Sequence, residues 1–325
     1  MSPFPAAKTI PLPIPAGGAP IVLSTHEMGR GPAVVFCHGF PDLGYGWRRQ
    51  VSKVAEAGFR AIAPDQRGYG GSSAPPDVTD YGLTELTGDL VGLLDALGIE
   101  RAYFVGHDWG GFVAWAMPVL HPDRVLGVVG LCTPYMPFPS VAVHRALVGG
   151  EPERQYVVWF QQSGTAEREM DAAVRPILTR ILRTGVPLED VIKVALADGK
   201  LNMNPFKDAE RWPLLGEPLG EPGDLDHYCR VFESTGFRGG INWYRNIDRN
   251  AAEHPAVGTR RLDLPCLMLT AEYDPALRPE FAEGMRGLCS DLELHLVEKA
   301  GHWVQQEAPV VVNARLIDWL QRVTR

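Results

Sequence analysis

One stretch constrains this chain more than any other: Gly106-His107-Asp108-Trp109-Gly110-Gly111. Before it, Arg101 to Gly106 is a short aromatic and β-branched run suited to a buried strand. After it, Phe112, Val113, Trp115, Ala116, Val119 and Leu120 recur at helical spacing until His121-Pro122 stops the helix. Strand, tight turn and helix in succession describe a nucleophile elbow, in which small residues on either side of the central one let the backbone close and leave its side chain standing free. A bare Gly-x-Asp-x-Gly is more often an acidic loop residue, so the rest of the chain has to decide.

The central residue is Asp108, where such elbows usually carry serine. A serine attacks acyl carbon and leaves an ester; on a saturated carbon it would leave an ether that water does not readily reverse. A carboxylate, with an ordinary pKa near ~3.9 and so ionised at neutral pH, can displace a leaving group at sp3 carbon. The alkyl ester that results offers water a carbonyl to attack. Asp108 therefore points to substrates with an electrophilic alkyl carbon.

Further candidate strands are Ile21 to Leu23, Ala33 to Cys37, Ala61 to Ala63, Tyr103 to Val105, Val125 to Leu131, Cys266 to Thr270 and Leu292 to Val297. Between two of them Leu86, Leu90, Leu93, Leu94 and Leu97 mark one helix face, opened by Thr84 and closed by Gly98, and Val312, Leu316, Trp319, Leu320 and Val323 mark a last helix. Strands alternating with helices predict a mostly parallel sheet covered on both faces, with catalytic groups in loops past the carboxyl ends of strands. The alternation lapses between about Thr133 and His254, which reads as helical segments and Gly/Pro-rich loops. The expected organisation is a core of residues 1–133 and 255–325 with a helical lid, 134–254, inserted into it.

The 325 residues suffice for one large α/β domain. A net charge of -8 without any Lys/Arg run argues against nucleic acid or an anionic membrane as partner. The first residues have neither a basic nor an apolar leader region, and no apolar run approaches the roughly 18 residues of a membrane span, so a cytoplasmic protein is expected. Five cysteines, Cys37, Cys132, Cys229, Cys266 and Cys289, show no paired spacing and read as small hydrophobes. No metal-binding or nucleotide-binding motif is present, and no metal or cofactor is expected.

Two later segments complete a catalytic set. Asp274 follows the strand Cys266 to Thr270 and His302 follows Leu292 to Val297, so Asp108, Asp274 and His302 stand in nucleophile, acid, histidine order. His302 would activate water against the ester, and Asp274 would hold its tautomer and stabilise the imidazolium. The backbone N–H groups of Phe40 and Trp109 are expected to form the oxyanion hole. His38 reads as a turn residue bonding backbone, and His107 as pointing away from the nucleophile. The remaining histidines carry no supporting pattern.

With these residues in hand, the chain resembles an epoxide hydrolase of the α/β-hydrolase superfamily. The segments that carry the resemblance are His38-Gly39-Phe40-Pro41, Asp65 to Ser73, Gly106 to Gly111, Tyr156 to Gln162, Gly236 to Asn246 and Gly301-His302-Trp303, covering essentially residues 20 to 325. The first three are widely shared; the two lid segments are the specific ones. The resemblance implies an eight-stranded, mostly parallel sheet with an inserted cap, hydrolysis of an epoxide to a vicinal diol, and two lid tyrosines, Tyr156 and Tyr244, that donate hydrogen bonds to the epoxide oxygen. Opening an oxirane releases an alkoxide, and a phenol with an ordinary pKa near ~10 can protonate it as the bond breaks. Phe40, Trp47, Trp159 and Trp243 would line a pocket for apolar or aryl epoxides, with water as the other substrate. The first 20 residues lack a clear counterpart, and the chain carries only the hydrolase domain. Oligomeric state stays open, a homodimer through the lid being frequent in the family.

The nearest rival is a haloalkane dehalogenase, which shares the nucleophile, acid and histidine but must hold a halide with N–H donors. Phe40 stands where many such enzymes have asparagine, and the paired tyrosines favour the epoxide. A fluoroacetate dehalogenase would carry arginine at position 109. A non-catalytic binding protein on this fold should show a broken triad, and a serine esterase would need a Gly-x-Ser-x-Gly that the chain lacks.

Overall fold

A computed structural model describes residues 4–13 and 20–324. Among them, strands β1 (Lys8–Pro11), β2 (Val22–Gly29), β3 (Ala33–Cys37), β4 (Arg60–Pro64), β5 (Ala102–His107), β6 (Val125–Leu131), β7 (Leu262–Ala271) and β8 (Cys289–Val297) form one sheet. Their order is β1-β2-β4-β3-β5-β6-β7-β8. The β1/β2 and β2/β4 pairs are antiparallel and the others parallel, the α/β-hydrolase architecture.

Both faces of the sheet are covered, and the period-2 alternation of each strand divides its apolar residues between two cores. From β3, Val34 and Phe36 enter one core while Ala33, Val35 and Cys37 enter the other. The first core is closed by α1 (Arg48–Glu56) and the last helix, Pro309–Val323, which contribute Val51, Val54, Leu316 and Trp319. The second is closed by α2 (Leu83–Ala96) and α3 (Trp109–Leu120), and it continues without a break into the segment beyond β6.

That segment holds eight helices and, among the described residues, no strand: α4 (Val141–Leu147), α5 (Tyr156–Trp159), α6 (Thr165–Asp171), α7 (Val174–Ile181), α8 (Leu188–Ala195), α9 (Asp224–Thr235), α10 (Arg238–Arg245) and α11 (Ile247–Glu253). Two isolated bridges, Gln155 to Met203 and Arg183 to Pro218, stitch its loops. The chain re-enters the sheet at β7, and after β8 it forms α12 (Val304–Glu307) and α13 (Pro309–Val323). No helix among the described residues is long and apolar enough to cross a membrane.

Several strands run longer than the sequence pattern suggests, β2, β7 and β8 most of all, and β1 lies outside that pattern. β7 begins at Leu262 although Pro265 cannot donate to the ladder; the register shifts between Leu262 and Pro265, and a bulge is where a strand tolerates proline. β1 escaped notice because Lys8-Thr9-Ile10-Pro11 is short, mostly exposed and proline-ended, as an edge strand can be.

Helices α10 and α11 are pinned to the segment that follows β4. Trp243 donates its indole N–H to the Arg67 carbonyl at 3.1 Å, and Arg238 donates to the carbonyls of Ala74, Pro75 and Pro76. Asn246 and Arg249 donate to Val78 and Thr79, and Asn250 accepts from the Leu83 N–H. Arg67 itself is anchored by a bidentate pair with buried Asp89, at 2.7 and 2.5 Å. Burial would raise the Asp89 carboxyl, and Arg67 is what opposes it. Arg67→Met should therefore leave a buried charge unpaired and lower unfolding stability by about 3–5 kcal/mol, measured by urea denaturation; a loss below the noise of the fit would show that the anchor carries no weight.

Candidate active site

Asp108 sits between β5 and α3 with φ 52° and ψ -125°, a backbone conformation that costs a non-glycine residue on the order of 1–3 kcal/mol. The neighbouring glycines are what let the turn close. A Cβ on Gly106 would lie 2.2 Å from the Gly110 carbonyl oxygen, and one on Gly110 would lie 2.0 Å from that of Cys37. A Cβ on Gly39 would lie 2.3 Å from Asp108 Oδ1. With no side chain at 39, the loop after β3 reaches the nucleophile turn and the Phe40 N–H donates to Asp108 Oδ1 at 2.7 Å. The Trp109 N–H, at the start of α3, also favours the anion. Thr133, two residues past β6, donates its hydroxyl to the Asp108 carbonyl at 2.8 Å and closes the turn from the far side.

β7 and β8 are neighbours in register through Ala271 and Val297, so the loops that leave them lie side by side. That brings His302 Nδ1 within 2.8 Å of Asp274 Oδ2. The other carboxylate oxygen of Asp274 accepts the N–H groups of Ala276 and Leu277, each at 2.9 Å. Burial alone would raise the Asp274 carboxyl, but His302 and these N–H groups outweigh it and bring its pKa down to about 2. An ionised Asp274 requires the proton on His302 Nδ1, which leaves Nε2 facing Asp108 Oδ2 at 3.7 Å, too far for a hydrogen bond.

His302 and the desolvation around Asp108 pull in opposite directions. Burial raises the Asp108 carboxyl above the ordinary aspartate range, and His302 and the N–H groups of Phe40 and Trp109 hold it back. Burial also opposes charge on His302, but Asp274 and then Asp108 overcome it and raise the imidazole to about 9. These shifts favour a protonated His302 beside an ionised Asp274, with the Asp108 carboxyl on its other side.

Tyr156, the first residue of α5, and Tyr244, on α10, meet edge to face with ring centroids 5.6 Å apart. Burial and then the Asp108 charge push both phenols up, so both keep their protons as donors. Around them stand Phe40, Phe160, Phe206 and Trp109; Tyr244 packs 5.3 Å from Phe40 and 5.1 Å from Trp109. Trp243 is edge-on to Trp109 at 6.0 Å, and Trp159 lies against Phe160 at 5.8 Å.

Trp47 does not belong to this group. It is fully buried in the core under α1 and α13, packed on Phe36 at 5.2 Å, because its short helical turn leads directly into α1 on the opposite face of the sheet. The pattern of an indole near the His38 loop gave no indication of which face it would take.

His107 does point away from the nucleophile, but it has a task. Its Nε2–H donates to the His302 carbonyl at 2.6 Å, and its Nδ1 accepts from Gln305. Burial lowers its pKa to about 3, so it stays neutral. His38 bonds backbone on both nitrogens, with Nδ1 directed at the Gly39 carbonyl and Nε2 accepting from the Gln66 N–H. Sequence reasoning passed over Thr133 and Glu307. The signal for Glu307 was its place five residues after His302; a carboxylate just beyond a catalytic turn is well placed to collect that turn's N–H groups.

Known proteins similar to this chain share its fold. The α/β hydrolase fold family matches residues 32–171. Epoxide hydrolase A of Mycobacterium tuberculosis is 40% identical over 309 residues, covering 92% of this chain and 93% of that protein. Bifunctional epoxide hydrolase 2 of Mus musculus is 38% identical over 296 residues, 91% of this chain but 52% of the mouse protein, so the chain spans about half the length of that relative. The crystal structure of epoxide hydrolase A from Mycobacterium thermoresistibile superposes with a TM-score of 0.85 at 39% identity, covering 98% of both chains. Likeness of this extent, in sequence and in fold together, means that the chain belongs to the epoxide hydrolase family of α/β-hydrolase-fold proteins.

Proposed function

We propose that the protein hydrolyses an epoxide to a vicinal diol by way of a hydroxyalkyl ester on Asp108. The observation that carries the reading is the asymmetry of that carboxylate: Oδ1 is tethered by the Phe40 N–H, while Oδ2 faces His302 without being bonded to it. Oδ2 attacks a ring carbon, the C–O bond breaks, and the alkoxide takes a proton from Tyr156 or Tyr244. Oδ1 becomes the ester carbonyl oxygen and is already seated in the N–H groups that will stabilise its oxyanion.

Ester formation removes the Asp108 charge, one of those that, with Asp274 and Glu307, hold the His302 proton. The imidazole then loses its proton more easily and becomes the base that draws a proton from water as the water attacks Cγ. Collapse of the oxyanion expels the diol oxygen, which receives that proton; the proton left on the new Asp108 carboxyl then passes to His302, whose own had replaced the one given up by the tyrosine, and the carboxylate is restored with one oxygen from water. In this reading residues 134–254 act as a cap that supplies both phenols to a catalytic core of 1–133 and 255–325. The aromatic walls formed by Phe40, Trp109, Phe160 and Phe206 suit an apolar or aryl epoxide. The haloalkane alternative is less well supported, because Phe40 brings no side-chain N–H donor for a halide and two phenols stand together near Asp108 instead.

The direct test is single-turnover hydrolysis of styrene oxide in oxygen-18 water. The first diol should be unlabelled and Asp108 should carry the label; label in the first diol with none in Asp108 would mean that water attacks the epoxide itself. His302→Gln should form the ester and fail to hydrolyse it, leaving an adduct on Asp108 visible by mass spectrometry.

Replacing both Tyr156 and Tyr244 by Phe should slow ring opening by about 100- to 10,000-fold, read by stopped-flow indole fluorescence, with each single substitution costing less. The two steps should also differ in pH dependence. Ring opening needs ionised Asp108, whose pKa is raised, so its rate should fall on acidification at a pH above that of an ordinary aspartate. Ester hydrolysis needs neutral His302, whose pKa drops from about 9 once the Asp108 charge is gone, so its rate should rise with pH and level off below 9.

A further inference from the structure

The turn that carries His302 is held from several directions. The His302 carbonyl accepts from His107 Nε2–H at 2.6 Å and from the Cys132 thiol at 3.4 Å. The N–H groups on either side of it, those of Gly301 and Trp303, both donate to Glu307, at 2.8 Å to Oε2 and 3.0 Å to Oε1. Glu307 Oε2 takes one more donor, the N–H of Gly185, at 2.8 Å. Gly185 lies 122 residues away, in the loop between α7 and α8 of the inserted segment.

Two other contacts make the same connection. The Trp303 indole N–H donates to the Ile181 carbonyl at 2.6 Å. Gly185 and Gly301 meet backbone to backbone: a Cβ on either would lie 2.4 Å from the other's Cα. One carboxylate thus gathers the base's turn and a loop of the inserted segment at a place where neither chain has room for a side chain.

We propose that Glu307 is a positioning residue that sets the His302 ring over Asp108 and ties that setting to the seating of the 181–185 loop. The inference rests on the two-step reading above. The base acts only in the second step, so a misplaced His302 should slow ester hydrolysis and leave ring opening almost untouched. In Glu307→Gln the amide can accept through one atom only and its NH2 must face a backbone N–H, so at least one of the three donors loses its partner.

Ester hydrolysis in Glu307→Gln should slow on the order of 10- to 100-fold, as expected for displacement of a reacting group. Because kcat/KM is governed by ring opening, kcat and KM should fall together with kcat/KM nearly unchanged, and the ester should accumulate at steady state in the mass spectrum. Gly185→Ala, which touches no group of the triad, should give the same signature in weaker form by lifting the loop from Gly301. A Glu307→Gln protein that loses kcat/KM in proportion to kcat would overturn the positioning role. A Gly185→Ala protein with kcat and KM both unaltered would overturn the link to the loop, and it decides that link even if the first variant does not fold. Whether the native protein forms any ester on Asp108 separates failure of the two-step reading from failure of this one.

Discussion

The site depends on one hydrogen bond, from the Phe40 N–H to Asp108 Oδ1. Asp108 stands at positive φ, a strained position that the flanking glycines permit but do not reward. What holds the carboxylate there is the approach of the loop after β3, and that approach exists only because Gly39 has no side chain to collide with Asp108. The same bond divides the two oxygens into one that is tethered and one that is free. The parallel β3/β5 pair, with Cys37 beside Gly106, supplies the register that brings loop and turn together. The rigidity of the sheet is thereby passed to a single side chain.

Charge is the second constraint. Two carboxylates and one imidazole share a region largely removed from water, and only the middle position of the histidine makes the arrangement tolerable. Asp274 is held ionised by two backbone N–H groups as well as by His302, so its charge does not depend on the state of the reaction. Asp108 has the less secure charge, raised by burial and held by fewer donors. In the proposed scheme it is the one that is lost on alkylation. That difference between two aspartates turns a resting imidazolium into a base at the moment an ester is there to be hydrolysed. The phenols of Tyr156 and Tyr244, kept protonated by burial and by the Asp108 charge, stand in the resting site as neutral donors.

The elbow, the triad and the alternation of strand and helix were legible because each is a local pattern with a steric or chemical reason: a small residue where the chain must close, a titratable residue just past a strand. Tyr156 and Tyr244, 88 positions apart by their numbers, were reached through resemblance, since spacing alone says nothing about two helices meeting. Trp47 was misread for a related reason. A large apolar side chain near a catalytic loop can turn to either face of the sheet, and the choice was made by the helix that follows it. Thr133, His107 and Glu307 act through backbone carbonyl and N–H groups of other segments. Backbone partners leave no mark in a sequence, so residues that serve them look ordinary.

The place of the insertion explains how distant contacts become short ones. β5, β6, β7 and β8 are consecutive in the sheet, so Asp108, the root of the inserted segment, Asp274 and His302 follow four adjacent strands. Thr133, at that root, already bonds the Asp108 carbonyl. The far side of the segment returns to the core through α10 and α11, which are pinned to the stretch after β4, and through the 181–185 loop, which lies on the His302 turn. A segment fastened at Asp108, at the His302 turn and at the stretch after β4 is held at three separate places. Tyr244 is carried by the pinned helix, whereas Tyr156 begins a single turn, α5, and is only partly buried. In the proposed scheme it is therefore Tyr156 that has the freedom to adjust to the position of the substrate oxygen, while Tyr244 defines where that oxygen must come.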